Sequence, residues 1–176
     1  ALILVGPRRA GKSFLISLVQ QSLGGRAANG YNSLAGLTAF NGDTIGAELL
    51  TCDDQTASKD ARTRGQLAQG LKEKLFAGAV RIEAKGRDAV NLRPIQAVVM
   101  AANDEPDHLA TLPALDDSLA DKVTIIKGRK ATFGGLGQDA IEDVVTVELP
   151  AFLDFLETTD HPENLKDPRT GAAAWQ

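Results

Sequence analysis

The stretch that decides the fold lies near the start of the chain, where residues 6–13 read Gly6-Pro7-Arg8-Arg9-Ala10-Gly11-Lys12-Ser13. This octapeptide matches the pattern G-x-x-x-x-G-K-[ST] at every fixed position. Residues 1–5 form an apolar run that is typical of a buried parallel strand, and the apolar positions after Lys12 follow a helical period. A strand, a glycine-bounded loop and a helix in this order predict a loop that binds the phosphates of a nucleotide.

The chemistry of this loop follows from its backbone and from two side chains. Glycines let the backbone curl around a phosphate, so that successive N–H groups point inward and attract the anion. We expect Lys12 to reach the β- and γ-phosphates of ATP and the Ser13 hydroxyl to bind Mg²⁺. The predicted nucleotide-binding residues are Gly6, Pro7, Arg8, Arg9, Ala10, Gly11, Lys12, Ser13 and Phe14.

Two further apolar runs end in polar residues that would complete such a site. Residues 47–52 lead into Asp53 and Asp54. Residues 95–102 lead into Asn103. Because the carboxyl ends of parallel strands meet at one edge of a sheet, we expect these side chains near the loop. Asp53 would hold Mg²⁺, and Asp54 would orient or deprotonate the attacking water. Asn103 would sense the γ-phosphate. The alternative for the two acids is a solvated Asp-Asp turn, and the alternative for Asn103 is an asparagine that only opens a turn.

The rest of the pattern predicts helices around the strands and one hairpin. A helix is expected over residues 58–77, with Arg64, Ala68, Leu71 and Leu75 along one stripe and the other charges away from it. A loop is expected over the glycine-rich residues 24–36. Two short alternating segments, residues 80–82 and 90–92, flank a turn at residues 84–88 and predict a β-hairpin.

The C-terminal part of the pattern completes the predicted architecture. Residues 123–126 are a last strand candidate, and a helix is expected to begin near Leu149 with Pro150 in its first turn. We therefore expect an α/β fold, a parallel sheet flanked by helices with a hairpin insertion. The ATPase core would cover residues 1–148, and residues 149–176 would hold the C-terminal helix and the start of a lid or following segment.

Composition limits the class of protein. The 176 residues, of which 43% are apolar and 24% charged, suit one globular domain. The formal net charge of −4 excludes a protein that coats nucleic acid by bulk charge. A single cysteine and two distant histidines argue against a disulfide or a structural zinc site. No apolar run is long enough to span a membrane, so we expect a cytoplasmic protein, and a core strand at the first residue suggests a piece of a longer chain.

The order of these elements resembles that of superfamily 3 helicases, an AAA+ class of P-loop ATPases, and above all the helicase half of phage, plasmid and poxvirus-type primase-helicases. The resemblance runs from residue 1 to about residue 129 and rests on the phosphate loop, the Asp-Asp strand, the basic hairpin and the strand that ends in asparagine. It implies Mg²⁺-dependent ATP hydrolysis at the interfaces of a homo-oligomeric ring, a hexamer, and a primase portion before this chain. It also implies that Lys85 and Arg87, at the hairpin tip, bind single-stranded or forked DNA.

The chain departs from that family at one position. These helicases usually carry an arginine finger before the last strand, where this chain has Lys122. Lysine supplies a point charge without the bidentate fork of arginine. We expect Lys122, or alternatively Arg62, Arg64 or Arg129, to complete a neighbouring subunit's site. A small-molecule or nucleotide kinase and a nucleotide-gated scaffold without turnover are the alternative functions.

Overall fold

The central sheet consists of five parallel strands in a computed structural model that describes residues 1–52, 59–130 and 137–160. These strands are β1 (Leu2–Gly6), β2 (Ala27–Asn29), β3 (Leu49–Cys52), β6 (Ala97–Asn103) and β7 (Thr124–Lys127). Their order across the sheet is β2-β3-β6-β1-β7. A separate antiparallel pair, β4 (Val80–Ile82) and β5 (Val90–Leu92), forms the hairpin. The predicted α/β fold with a parallel sheet is confirmed, and β6 lies between β1 and β3.

The helices cover both faces of this sheet. They are α1 (Lys12–Ser22), α2 (Tyr31–Leu34), α3 (Ala61–Phe76), α4 (Pro106–Leu109), α5 (Asp117–Ala120) and α6 (Gln138–Thr158), with a short 3₁₀ turn at Gly42–Thr44. Successive residues of β1 point to opposite faces, so Ile3 belongs to the cluster that contains Leu71 of α3, and Leu4 to the cluster that contains Ile16 of α1. Burial on both faces explains why the central strands β1 and β6 are apolar along almost their whole length. None of the described helices is long and apolar enough to cross a membrane.

Helix α3 begins at an N-cap and carries one buried charge. The Asp60 carboxylate accepts a hydrogen bond from the Thr63 N–H at 2.9 Å, and the hydrogen bonds from Thr63 hold the pKa of Asp60 below its usual value. Leu67 and Leu71 face the core. Lys74 continues the same buried stripe and is only 7% exposed. The expectation that the charges of this helix other than Arg64 lie away from the stripe is wrong at Lys74.

Two predictions about element boundaries were also wrong. Residues 24–36, expected as a loop, contain β2 and α2, because an edge strand of alanine and asparagine carries no apolar pattern. The helix expected from Leu149 begins at Gln138, so the boundary between residues 148 and 149 falls inside α6 and Pro150 is an interior residue. Pro150 is exposed, where water can bind the carbonyl that its missing N–H leaves unpaired. Residues 161–176 lie outside the described part of the chain.

Candidate nucleotide and nucleic-acid sites

The loop between β1 and α1 turns sharply at Arg9 and Gly11. The Ala10 N–H donates to the Pro7 carbonyl at 3.2 Å, and Arg9 and Gly11 have positive φ angles of 64° and 79°. Glycine adopts this conformation freely, whereas a residue with a Cβ incurs about 1–2 kcal/mol. Gly11 is the N-cap of α1, whose first turn has no acidic residue. The positive end of the helix dipole is therefore available to an anion bound in the loop.

Lys12 joins this loop to the end of β6. Its Nζ donates to the carbonyls of Gly6 at 2.9 Å and Pro7 at 3.0 Å, and to Oδ1 of Asn103 at 3.0 Å. Asn103, the last residue of β6, is the sheet neighbour of Gly6. The contact between Lys12 and Asn103 is thus a consequence of the position of β6 next to β1.

A second link between the loop and β6 comes from Glu105, which the sequence analysis did not single out. The Asp104 N–H donates to the Gly6 carbonyl at 3.2 Å, and Oε1 of Glu105 lies 3.3 Å from Nε of Arg8. The other oxygen, Oε2, is buried without a hydrogen bond among the described residues and lies 3.9 Å from Nε2 of His108. The sequence could have indicated this contact, because Glu105 comes two residues after the asparagine that ends β6 and is expected near the phosphate loop.

The candidate Mg²⁺ ligands are only partly described. Ser13 is exposed in the first turn of α1, where its hydroxyl can reach an ion held over the loop. Asp53 and Asp54 lie outside the described residues. Cys52, directly before them, ends β3 and pairs with Met100 of β6, so the chain leaves the sheet at the same edge as Asn103. The described residues contain no group of three or more metal-ligating side chains.

Of the cations considered for a neighbouring subunit's site, Lys122 lies away from the phosphate loop, whereas Arg129 follows Gly128, which packs against Gly6 of the loop. Lys122 precedes β7, at the opposite edge of the sheet from Lys12, and β1 alone spans about 15 Å between these edges. Its ammonium pairs with Asp121 and lies 5.6 Å from the centre of the Phe76 ring. Arg64 is half-buried, and its Nε donates to the Leu112 carbonyl at 2.9 Å. Arg62 and Arg129 are exposed.

The hairpin carries its two predicted DNA-binding residues at the tip. The Arg87 N–H closes the turn on the Ala84 carbonyl at 3.1 Å, with Gly86 at a φ of 74°. Lys85 and Arg87 are exposed, and neither pairs with a carboxylate of the described residues. Their charge is therefore available to a phosphate backbone.

The base of the hairpin is fixed by Asn41, which the sequence analysis missed. Its side chain accepts from the Glu83 N–H at 2.8 Å and donates to the Arg81 carbonyl at 3.1 Å, and its own N–H donates to the Glu83 carbonyl at 3.0 Å. A Cβ on Gly42 would lie 2.5 Å from that of Ala84, so only glycine fits this approach. Phe40 comes directly before this clamp and is 49% exposed. The clamp fixes the segment that carries Phe40 to the base of the hairpin.

Comparisons with known proteins add the following. The model of a family described as "Family of unknown function (DUF5906)" matches residues 4–118. No curated protein matches the chain. Among solved structures, one apo structure of the NrS-1 C-terminal region has a TM-score of 0.75 at 12% identity, over 99% of this chain and 42% of that one. An A-form apo structure of the same region has a TM-score of 0.69 at 15% identity, over 90% of this chain and 36% of that one. This likeness concerns the fold, and the chain spans about two-fifths of the length of these structures.

Proposed function

Because the chain belongs to DUF5906, a family without an assigned function, we propose its activity from the site: it is the ATP-hydrolysing core of a DNA helicase, part of a mobile-element primase-helicase. The contact between Lys12 Nζ and Asn103 Oδ1 carries this proposal. It joins the lysine of a phosphate-binding loop to a strand-end amide, the arrangement that the resemblance to superfamily 3 helicases implies. The fold likeness to the NrS-1 C-terminal region is consistent with it.

Phosphate binding would change the hydrogen bonds of Lys12. An ammonium has three donors, and Lys12 already has three acceptors, at Gly6, Pro7 and Asn103. A phosphate oxygen that binds Lys12 must therefore share or replace one of them. If Asn103 is the acceptor that is released, its Oδ1 can accept a hydrogen bond from the attacking water. Asn103 would in this way report whether the nucleotide is intact.

The remaining groups complete the proposed hydrolysis. Ser13 and Asp53 would hold Mg²⁺, which neutralises charge on the phosphates when it is bound. Asp54 would orient the water that attacks the γ-phosphorus. Lys122 lies at the far edge of the sheet from Lys12, so it could only serve a neighbour's nucleotide, in a ring whose subunits pack head to tail.

The DNA contacts would come from the hairpin and its clamp. Lys85 and Arg87 supply charge at the tip, and Phe40 supplies a ring face on which a base can stack. Cations combined with exposed aromatic rings are the usual means of holding single strands without sequence preference. Phe40 thus extends the predicted DNA-binding set by one residue.

The test is steady-state ATP hydrolysis with Mg²⁺, measured with and without single-stranded DNA. We expect hydrolysis that DNA stimulates, and a loss of at least 100-fold in Lys12→Ala, because its ammonium neutralises charge on the transferred phosphoryl group. Lys130→Ala, an exposed cation outside the site, is the matched control. A Lys12→Ala protein that hydrolyses ATP at the wild-type rate would contradict the proposal, and phosphate transfer to a small acceptor without any DNA effect would indicate a kinase.

A further inference from the structure

An apolar crevice lies between the hairpin, the end of α3 and the start of β6. It encloses about 190 Å³ and is lined chiefly by Ile45, Val80, Ile82, Leu92, Pro94 and Ile95. Three of these side chains remain well exposed at its mouth: Ile45, Leu92 and Ile95, the last at 67%. Exposed apolar side chains that converge on a concave surface are typical of an interaction site.

The floor of this crevice holds a positive charge that forms no ion pair with a carboxylate of the described residues, although the neighbouring Glu73 attracts it. This charge is Lys74, whose Nζ donates to Oε1 of Gln96 at 3.5 Å, its hydrogen bond within the described part of the chain. Burial lowers the pKa of Lys74. Arg93 adds a second cation to the lining, exposed and likewise without a carboxylate partner among the described residues. The crevice is therefore suited to an apolar partner that brings a carboxylate.

Helix α6 has the complementary character. Its 21 residues include six carboxylates and no lysine or arginine. No side chain of residues 139–158 is buried, and five large apolar residues are exposed: Val144, Val147, Phe152, Phe155 and Leu156. Glu148 lies one turn from both Val144 and Phe152 on the same stripe. Val144, Glu148 and Phe152, called here the exposed stripe of α6, thus present an acid between two apolar side chains.

We propose that the crevice receives the exposed stripe of α6 from a second copy of this chain, with Glu148 of that copy paired with Lys74. The crevice carries cations and the stripe of α6 carries a carboxylate, and both surfaces are otherwise apolar. This complementarity is the reason for choosing α6 as the occupant. Two different surfaces form a heterologous contact, which continues from copy to copy and closes into a ring when the rotation permits. The inference rests on the head-to-tail assembly proposed above and names the surfaces that form it.

The positions of the two surfaces agree with that assembly. Gln96 and Lys122 each come shortly before a strand, so the crevice and Lys122 lie at the same edge of the sheet. α6 contacts α1, the helix that begins at the phosphate loop on the opposite edge. The contact that seats one copy's α6 in a neighbour's crevice would therefore join the neighbour's Lys122 edge to the side of the first copy that carries α1 and α6.

Cross-linking between separately made copies tests this contact. Protein with Arg93→Cys is mixed with protein with Ala151→Cys, an exposed position one turn from Glu148 that leaves this carboxylate in place, and treated with a short bismaleimide. Lys130→Cys replaces Arg93→Cys as the control. Cys52 does not interfere, because it is buried and its pKa is raised to about 12. We expect the mixed dimer to form at least tenfold faster than with the control. Equal rates would overturn the proposal.

A double-mutant cycle tests the pairing itself without ATP or DNA, so failure of the ATPase proposal would leave its result readable. Lys74→Met retains the length and apolar stem of the side chain. By sedimentation, Lys74→Met and Glu148→Gln should each weaken self-association at least fivefold, and the double variant should be no weaker than either single one. Additive effects, no effect, or a wild-type chain that stays monomeric at all concentrations would each overturn the proposal.

Discussion

At the residue scale, Arg9 holds a backbone conformation that glycine would adopt more readily. Its φ is 64° in the turn of the phosphate loop. We expect Arg9→Gly to raise the free energy of unfolding by up to about 1 kcal/mol, the relief of strain less the greater freedom of glycine in the unfolded chain. Arg8→Gly, next to it but without a positive φ, should destabilise. Urea unfolding measures both, and destabilisation by Arg9→Gly would contradict the strain.

Lys74 makes a second prediction at this scale, about pH. Burial lowers the pKa of Lys74 in the folded protein, whereas the unfolded value is about 10.4. Between these two pKa values the unfolded state binds the extra proton, so the free energy of unfolding rises with pH there. Lys74→Met should stabilise the monomer at pH 7 by about 1 kcal/mol and flatten this rise. Urea unfolding at pH 7 and pH 10 checks both effects, with exposed Lys130→Met as the control that should change neither.

At the scale of elements, the hairpin depends on the Asn41 clamp. Asn41→Ala removes the two side-chain hydrogen bonds to the β4 strand and its end, at Arg81 and Glu83. We expect a loss of about 1–2 kcal/mol in the free energy of unfolding. We also expect weaker binding of single-stranded DNA, because Phe40 and the tip cations would no longer be held together. Gln69→Ala, an exposed side chain on α3 outside the clamp, should leave DNA binding unchanged.

The hairpin tip allows a further prediction in which stability and function separate. Lys85 is exposed at the hairpin tip, so Lys85→Ala should change the free energy of unfolding by no more than about 0.5 kcal/mol. It should nevertheless weaken single-strand binding and make its salt dependence shallower, because a phosphate contact is lost. DNA-stimulated ATP hydrolysis should fall while basal hydrolysis persists. Equal DNA affinity for mutant and wild type at two salt concentrations would count against a DNA-binding tip.

At the scale of the whole molecule, the distance of Lys122 from Lys12 makes activity depend on assembly. If the neighbour's Lys122 completes each site, hydrolysis per chain should rise with protein concentration. Lys122→Ala and Lys12→Ala proteins, each impaired alone, should regain part of the activity when mixed, since one chain supplies the cation and the other the loop. A rate independent of concentration in a monomeric sample, or no recovery on mixing, would rule out this role.

Much of the fold could be predicted because its signals are local. The phosphate-loop pattern, the apolar strands and the hairpin each depend on neighbouring residues in the sequence, and the structure has strands β1, β3 and β6 and the β4–β5 pair close to where they were expected. Boundaries without such a signal were wrong, as for β2, an edge strand that pairs with β3 alone among the strands of the sheet. Pro150 was misleading because proline favours the first turn of a helix, whereas here it lies at an exposed interior position of α6.

The sequence by itself determined which polar groups end a strand, because an apolar run and the residue that ends it are neighbours in the chain. It determined the phosphate loop for the same reason, since its strand, loop and helix are contiguous. Only the tertiary structure decided that Lys12 reaches Asn103, since that contact depends on β6 lying beside β1. It also decided that Lys74 is buried beneath the hairpin and that Asn41, the residue after Phe40, holds the base of the hairpin. These facts join residues far apart in the chain, and no local pattern specifies which distant backbone a side chain will meet.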